Sequence, residues 1–118
     1  MRGNLSHAGG GFYCSAGSPI LTNCVLMKNR AVSGGGAYCA TNTQAALVNC
    51  TFSENLGYGL VCSSSTPTVA NCILWGDTPE EIYPPPSIGI TTVTYCDVQG
   101  SYPGTGNFDV APFAFEGD

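Results

Sequence analysis

Charge is the first thing this chain of 118 residues is short of. Only 9% of its residues are Asp, Glu, Lys or Arg, against roughly 25% in ordinary globular chains. Three are basic: Arg2, Lys28 and Arg30. Neutralising phosphates takes clustered Lys and Arg, so no nucleic-acid partner is expected. Docking on an anionic membrane surface falls for the same reason. No apolar run approaches the roughly 18 residues of a spanning helix, so no membrane insertion is expected either. No signal peptide is visible, since Met1-Arg2-Gly3-Asn4 leads into glycines and not into an apolar core. The single histidine, His7, has no Ser-His-Asp or Cys-His spacing around it. It reads as a residue of the turn over 4–9, not as a catalytic base. There is no Cys-x-x-Cys pair, which argues against structural zinc.

Glycine, cysteine and repetition are what the chain does have. Gly9-Gly10-Gly11-Phe12-Tyr13-Cys14 returns as Gly34-Gly35-Gly36-Ala37-Tyr38-Cys39, then in weaker form as Gly57-Tyr58-Gly59-Leu60-Val61-Cys62. A second landmark is Asn23-Cys24, Asn49-Cys50 and Asn71-Cys72, with Tyr95-Cys96 as a variant. A third falls five residues after Cys24, Cys50 and Cys72, at Asn29, Asn55 and Asp77. Asn4 stands 25 residues before Asn29, so the chain starts partway through a repeat. All 7 cysteines lie on the first two landmarks. The period is roughly 24 residues, the range of solenoid repeats. Between landmarks the chain is rich in Val, Ile, Leu, Thr, Tyr and Phe, punctuated by Gly, Pro, Ser and Asn. This composition reads as short strands and turns with no helix. Three short strands per repeat, coiled into stacked rungs, account for the length, each rung burying its inner face against its neighbours.

Alternation sets the faces. Phe12 and Cys14 point in and Tyr13 out. Leu21 and Asn23 point in, then the phase slips by one residue so that Cys24 and Leu26 point in. A tight corner at Asn-Cys permits the slip, and asparagine tolerates the left-handed conformation such a corner demands. Asn23, Asn49 and Asn71 are therefore expected to stack as an inward ladder of hydrogen-bonded amides. Cys14, Cys39 and Cys62 form one core file, and Cys24, Cys50, Cys72 and Cys96 another. Equivalent cysteines sit about 4.8 Å apart in neighbouring rungs, but their side chains point the same way, which disfavours disulfides. They read as small buried core residues.

These motifs resemble the right-handed parallel β-helix repeats of the pectin-lyase-like superfamily. They are most similar to the repeats of large bacterial surface proteins of the polymorphic-membrane-protein type, marked by Gly-Gly-Ala and Phe-x-x-Asn. Gly35-Gly36-Ala37 and Phe52-Ser53-Glu54-Asn55 match both, and Leu26-Met27-Lys28-Asn29 matches the second with Leu for Phe. The resemblance implies an all-β, right-handed parallel β-helix of about four or five short rungs. It also implies an extracellular or cell-surface setting. It leaves activity open, because the superfamily holds polysaccharide lyases, hydrolases, adhesins and passenger domains.

As one domain over 1–118, the chain divides into an incomplete first rung (1–8), regular repeats (9–76), a proline-rich loop (77–89), and a last rung with a closing segment (90–118). Phe113 and Phe115 are placed to cover the end of the core. The first rung leaves an open strand edge, which predicts a homo-oligomer joined through the β-helix end.

Candidate chemistry is sparse. Residues 1–53 carry +3 and residues 54–118 carry −8. Glycoside hydrolysis takes converging carboxylates, for which Glu54, Asp77 and Asp97 are the candidates, yet no paired Asp-Asp occurs. Bases and acids are segregated along the axis, which argues against lyase chemistry. No cofactor is expected beyond a calcium ion at Asp77, Glu80 and Glu81, whose hard oxygens suit it. Tyr13 and Tyr38, outward and one rung apart, form a candidate platform for a sugar face, with Trp75 outward on a later rung. Two functions stay open. The leading one is a non-enzymatic structural or adhesive module that contacts carbohydrate. The alternative is a truncated carbohydrate-active domain of polysaccharide lyase or hydrolase type.

Overall fold

The computed structural model describes residues 2–41, 43–63, 65–83 and 92–110, with Ser6, His7 and Ala8 described in backbone only. Among these residues there is no α-helix. Each passage around the molecule contributes strands of two to four residues to the same sheets, always parallel to the strand below. The first sheet stacks β2 (Phe12–Cys14), β6 (Ala37–Cys39), β9 (Leu60–Cys62) and β12 (Ile82–Tyr83). The second stacks β3 (Ile20–Thr22), β7 (Ala46–Val48), β10 (Thr68–Ala70) and β13 (Thr92–Thr94). The third stacks β4 (Val25–Met27), β8 (Thr51–Ser53), β11 (Ile73–Trp75) and β14 (Asp97–Val98). A short fourth face pairs β1 (Leu5–Ala8) with β5 (Arg30–Ser33) and continues through bridges from Arg30 to Leu56 and from Leu56 to Thr78. The result is a β-solenoid of about three turns.

The core is a bundle of files running along the axis. Leu26, Phe52, Leu74 and Val98 stack in one register, and Leu21, Leu47, Val69 and Val93 in another. Phe12, Ala37, Leu60 and Ile82 make a third. Inner-rung members are sealed, while Phe12, Leu21 and Cys24 of the first rung are only half-buried. Period-2 alternation points the middle residue inward in the second and third sheets, and the two outer residues inward in the first.

Corners carry the backbone strain. Asn23, Asn49, Asn71 and Tyr95 take φ of 54°, 56°, 54° and 53°, the left-handed region. The turn directs their side chains outward, and all four are exposed. This corrects the inward amide ladder expected at Asn23, Asn49 and Asn71. What stacks at this corner is the backbone: the N–H of Asn23 donates to Val48 O, that of Asn49 to Ala70 O and that of Asn71 to Thr94 O. The buried amide ladder lies on the other side of the core, at the third landmark.

Two further differences follow from register. Residues 82–83, read from the sequence as loop, form strand β12 on β9. His7 belongs to strand β1 and not to a turn. The Pro84–Pro86 run and the closing residues Phe113 and Phe115 lie outside the described residues.

The Gly-Gly motif follows from close stacking. A Cβ on Gly36 would run into the carbonyl oxygen of Gly59 in the rung above. Gly36→Ala is therefore expected to cost about 1–3 kcal/mol or more, since backbone atoms cannot step aside as a side chain can. Urea unfolding of the two proteins checks this, and an unchanged midpoint would refute the stacking account.

Candidate functional site

The first sheet carries an aromatic file on its outer face. Tyr13 and Tyr38 are register partners whose rings stack at 5.5 Å between centroids with 22° between planes. In the same register Tyr38 is followed by Val61 and then by Tyr83. Tyr83 meets Tyr58, which stands at a left-handed corner, at 5.1 Å and 47°. Tyr13 is 53% and Tyr83 46% exposed. None of the outward residues in this file is charged. Trp75 lies in register with Met27 and Ser53 on the third sheet. It does not join the tyrosines, because the glycine corner and the fourth face separate the two sheets in the chain path.

The cysteines pack in the files that the repeats imply. Cys14, Cys39 and Cys62 are mutual register partners. In the other file the N–H of Cys50 donates to Cys72 Sγ and the N–H of Cys72 to Cys96 Sγ, both at 3.4 Å. The thiols donate in turn to carbonyls, Cys72 to Ala70 O at 3.2 Å and Cys96 to Thr94 O at 3.2 Å. All seven are free. Burial pushes the Cys39 thiol up to about 12, helped by its neighbours Cys62 and Cys14. Such thiols serve as core, not as nucleophiles.

The third landmark builds a buried polar ladder. Asn29 Oδ1 accepts from both the N–H and the amide of Asn4, at 3.0 and 3.2 Å. Asn55 Oδ1 accepts from Asn29 N–H at 3.0 Å. Asp77 Oδ1 accepts from Asn55 N–H at 2.8 Å and from Asn55 Nδ2 at 2.7 Å. Asn55 Nδ2 also donates to Leu26 O at 3.0 Å. At each step a side-chain oxygen of one rung holds the backbone N–H of the rung before. Above Asp77 the pattern changes, and its N–H goes to the carboxyl of Glu81, 3.3 Å from Oε1 and 3.1 Å from Oε2.

Glu81 reaches this place because of its register. Ile82 stands over Leu60, Ala37 and Phe12, so Glu81 continues the glycine file Gly11, Gly36, Gly59. Lower in the file a side chain would collide with the next rung. At the last rung there is room, and the carboxyl folds over the ladder's end. Other residues close the neighbouring positions in the same manner. Asn107 Oδ1 accepts Cys96 N–H at 2.9 Å while its amide donates to Val93 O and Tyr102 O, and Asp109 Oδ2 accepts Gly100 N–H at 3.1 Å.

Asp77 and Glu81 are both buried, at 3% and 5% exposure. Burial pushes Asp77 up to about 6, against the lowering effect of hydrogen bonds with Glu81 and Asn55, and Glu54 raises it further. Burial pushes Glu81 up to about 10, reinforced by its hydrogen bond with Asp77 and by that group's charge. The pair forms one wall of a cavity of about 480 Å³ that includes Glu80, Gln99, Ser101 and Tyr102.

Of the carboxylates considered from the sequence, Glu54 stands near enough to Asp77 for its charge to be felt there. Glu54 is exposed on a corner, and Asp97 is buried on β14, where it accepts Val110 N–H at 3.0 Å. Glu80 is exposed while Asp77 and Glu81 turn inward. Among the described residues no three His, Cys, Asp or Glu side chains are grouped to hold a metal ion. Sequence reasoning treated Glu81 only as a calcium candidate and missed its capping position. Counting the glycine file forward by one more period would have found it.

A family model described as "right handed beta helix region" matches residues 2–82, more than half of the chain. No significant match to a curated protein or to a solved structure is found.

Exposure orders the thiols. In the native protein Cys14 and Cys24, both half-buried, are expected to react with a disulfide reagent well before the five buried thiols. All seven react once the chain is unfolded. Fewer than seven equivalents in denaturant without reductant would contradict the free-thiol structure.

Proposed function

The chain belongs to the right-handed β-helix family, and on that premise we propose that it is a non-catalytic binding module whose tyrosine face holds carbohydrate. The observation that carries this reading is the stacked Tyr13–Tyr38 pair, at 5.5 Å and 22°, with Tyr13 exposed and Tyr38 half-buried. Ring faces offer flat apolar area to the C–H face of a sugar, and the phenol tips reach its hydroxyls. Tyr83 and Tyr58 extend the file along the axis, so the face suits a chain of sugars more than a single one. With no charge in the file, neutral glycans fit it better than acidic ones. The likeness to bacterial surface repeats supports an adhesive role at a cell surface.

The buried acids favour this reading over the polysaccharide lyase or hydrolase alternative. Asp77 Oδ1 already accepts two hydrogen bonds, its Oδ2 is sealed from solvent, and the Glu81 carboxyl is engaged by Asp77 N–H. A general acid must reach the bond it breaks, and these two are committed to the ladder.

Titration with neutral oligosaccharides of several lengths tests the proposal. Tyr38→Ala, which breaks the stack at its centre, is expected to weaken binding at least about 10-fold, equivalent to about 1.4 kcal/mol. Trp75→Ala should leave it unchanged. Failure of the wild type to bind any neutral or acidic glycan on an array refutes the carbohydrate reading.

The sheet edges also bear on self-association. β2, β3 and β4 are edge strands, and such edges pair readily with another chain. At the opposite end β12, β13 and β14 are edge strands as well, where Glu81, Asn107 and Asp109 hold the N–H groups of Asp77, Cys96 and Gly100. A second copy is therefore expected to join edge to edge. Light scattering over a concentration series distinguishes monomer, dimer and open-ended polymer, and a monomer at all concentrations rejects the association.

A further inference from the structure

The Asn4–Asn29–Asn55 ladder passes one chemical element from rung to rung: a carboxamide that accepts on one side and donates on the other. At the fourth position the residue is Asp77, which has no amide hydrogens to give. Its Oδ1 takes the place of the amide oxygen. Its Oδ2 stands where the amide nitrogen would be: a Cβ built on Gly59 would meet it at 2.6 Å, as a Cβ on Gly36 would meet Asn55 Nδ2 at 3.1 Å. Oδ2 is buried, and no N–H or hydroxyl donor reaches it. The group beside it is the Glu81 carboxyl, which the N–H of Asp77 holds at 3.1 and 3.3 Å. Two carboxyls can hydrogen-bond to each other only through a proton held by one of them.

We propose that Asp77 and Glu81 form a proton-held latch, in which one shared proton replaces the amide hydrogens of the ladder and its loss frees the 77–82 corner. The corner is one wall of the solvent-open cleft of about 480 Å³, so unlatching reshapes that cleft. The ionisable groups facing the pair are Glu54 from the corner after β8, Glu80 beside Glu81, and Tyr102 from the segment after β14. All are neutral or negative, so none compensates a second negative charge. With one proton bound the pair carries a single charge. With none it carries two in a buried site, which desolvation and repulsion both oppose.

The direction of the pH effect follows. Both carboxyls titrate higher in the folded chain than their ordinary values, Asp77 at about 6 and Glu81 at about 10. The folded state therefore binds more protons than the unfolded state from about pH 4 upward. The latch's contribution is fully present in acid and is lost as pH rises through these two values. Stability falls with rising pH across the window, the reverse of the usual salt-bridged carboxylate.

Two shape-preserving variants test the latch. Glu81→Gln keeps an oxygen for Asp77 N–H and supplies amide hydrogens to the Asp77 carboxyl without titrating. Asp77→Asn restores the ladder amide. Wild-type Tm is expected to drop by several degrees between pH 4.5 and about pH 10.5, with each variant flatter and more stable than wild type at the alkaline end. Trp75, the only tryptophan, lies two residues before Asp77 and reports locally. Its emission should shift with pH in the wild type before global unfolding, and should not shift in Glu81→Gln. A wild-type Tm that is flat over this range, a slope that survives in both variants, or a Trp75 signal unchanged until the protein melts would each overturn the proposal.

Discussion

Parallel stacking at a fixed spacing is the constraint on which the rest of this molecule depends. Each rung's backbone hydrogen-bonds the next at about 4.8 Å, so every residue stands directly over its counterpart. Whatever a position needs, it needs again one period later. The glycine files exist because two backbones meet there with no room for a Cβ. The Leu-Phe-Leu-Val file exists because the same interior point must be filled in each rung. Lateral packing is thin in so narrow a solenoid, so stability comes mainly from rung-on-rung contact. The half-buried state of Phe12, Leu21 and Cys24 shows what a rung lacks when covered on one side only.

A ladder that satisfies each rung from the next must end somewhere, and its end must be made of something else. Inside the stack, the N–H at the third landmark is held by an Asn or Asp oxygen and the N–H after the corner by a cysteine sulfur. At the last rung these roles pass to Glu81 and Asn107, neither of which belongs to the repeat. An unsatisfied buried N–H costs about 1–3 kcal/mol, so such substitutes are needed wherever stacking stops. Glu81 can serve only there, since in an inner rung its side chain would occupy space held by backbone. The cap and the termination of stacking at that corner are one fact.

Most of the fold was legible in the sequence because repetition is legible. Cys14, Cys39 and Cys62 announce a file by recurring, and the Asn-Cys pairs announce a left-handed corner. Which way the corner asparagines face was not legible. Alternation along a strand predicts in or out, but it fails at a residue whose φ turns positive, and Asn23, Asn49 and Asn71 swing to solvent. The buried amides were marked by the same five-residue offset that placed Asn29, Asn55 and Asp77. Their inward direction depends on the close approach of the glycine file, which adjoins them in space and not in sequence. β12 was hidden because two strand residues between Glu81 and three prolines carry too little pattern to read.

The division between core files and outer faces also governs where function can reside. Every inward position is committed to the residue above and below it, so a ligand can be met only by outward residues or by the last rung. On the outward faces many residues are small or polar, whereas Tyr13 stacks on Tyr38 and Tyr83 meets Tyr58 of the adjoining corner. Stacked aromatic rings one rung apart are not required by the core, since Val61 fills the same outward position in the third rung without disturbing the register. At the last rung, Asp77 departs from the ladder's own asparagine although an amide would satisfy every neighbour. A buried carboxyl pair is the costlier choice there, and the cost arises where the amide ladder ends and a cleft begins. The two departures from what stacking alone demands thus lie at opposite kinds of place. One is a regular face suited to an extended partner, and the other is a terminal corner whose closure depends on a proton.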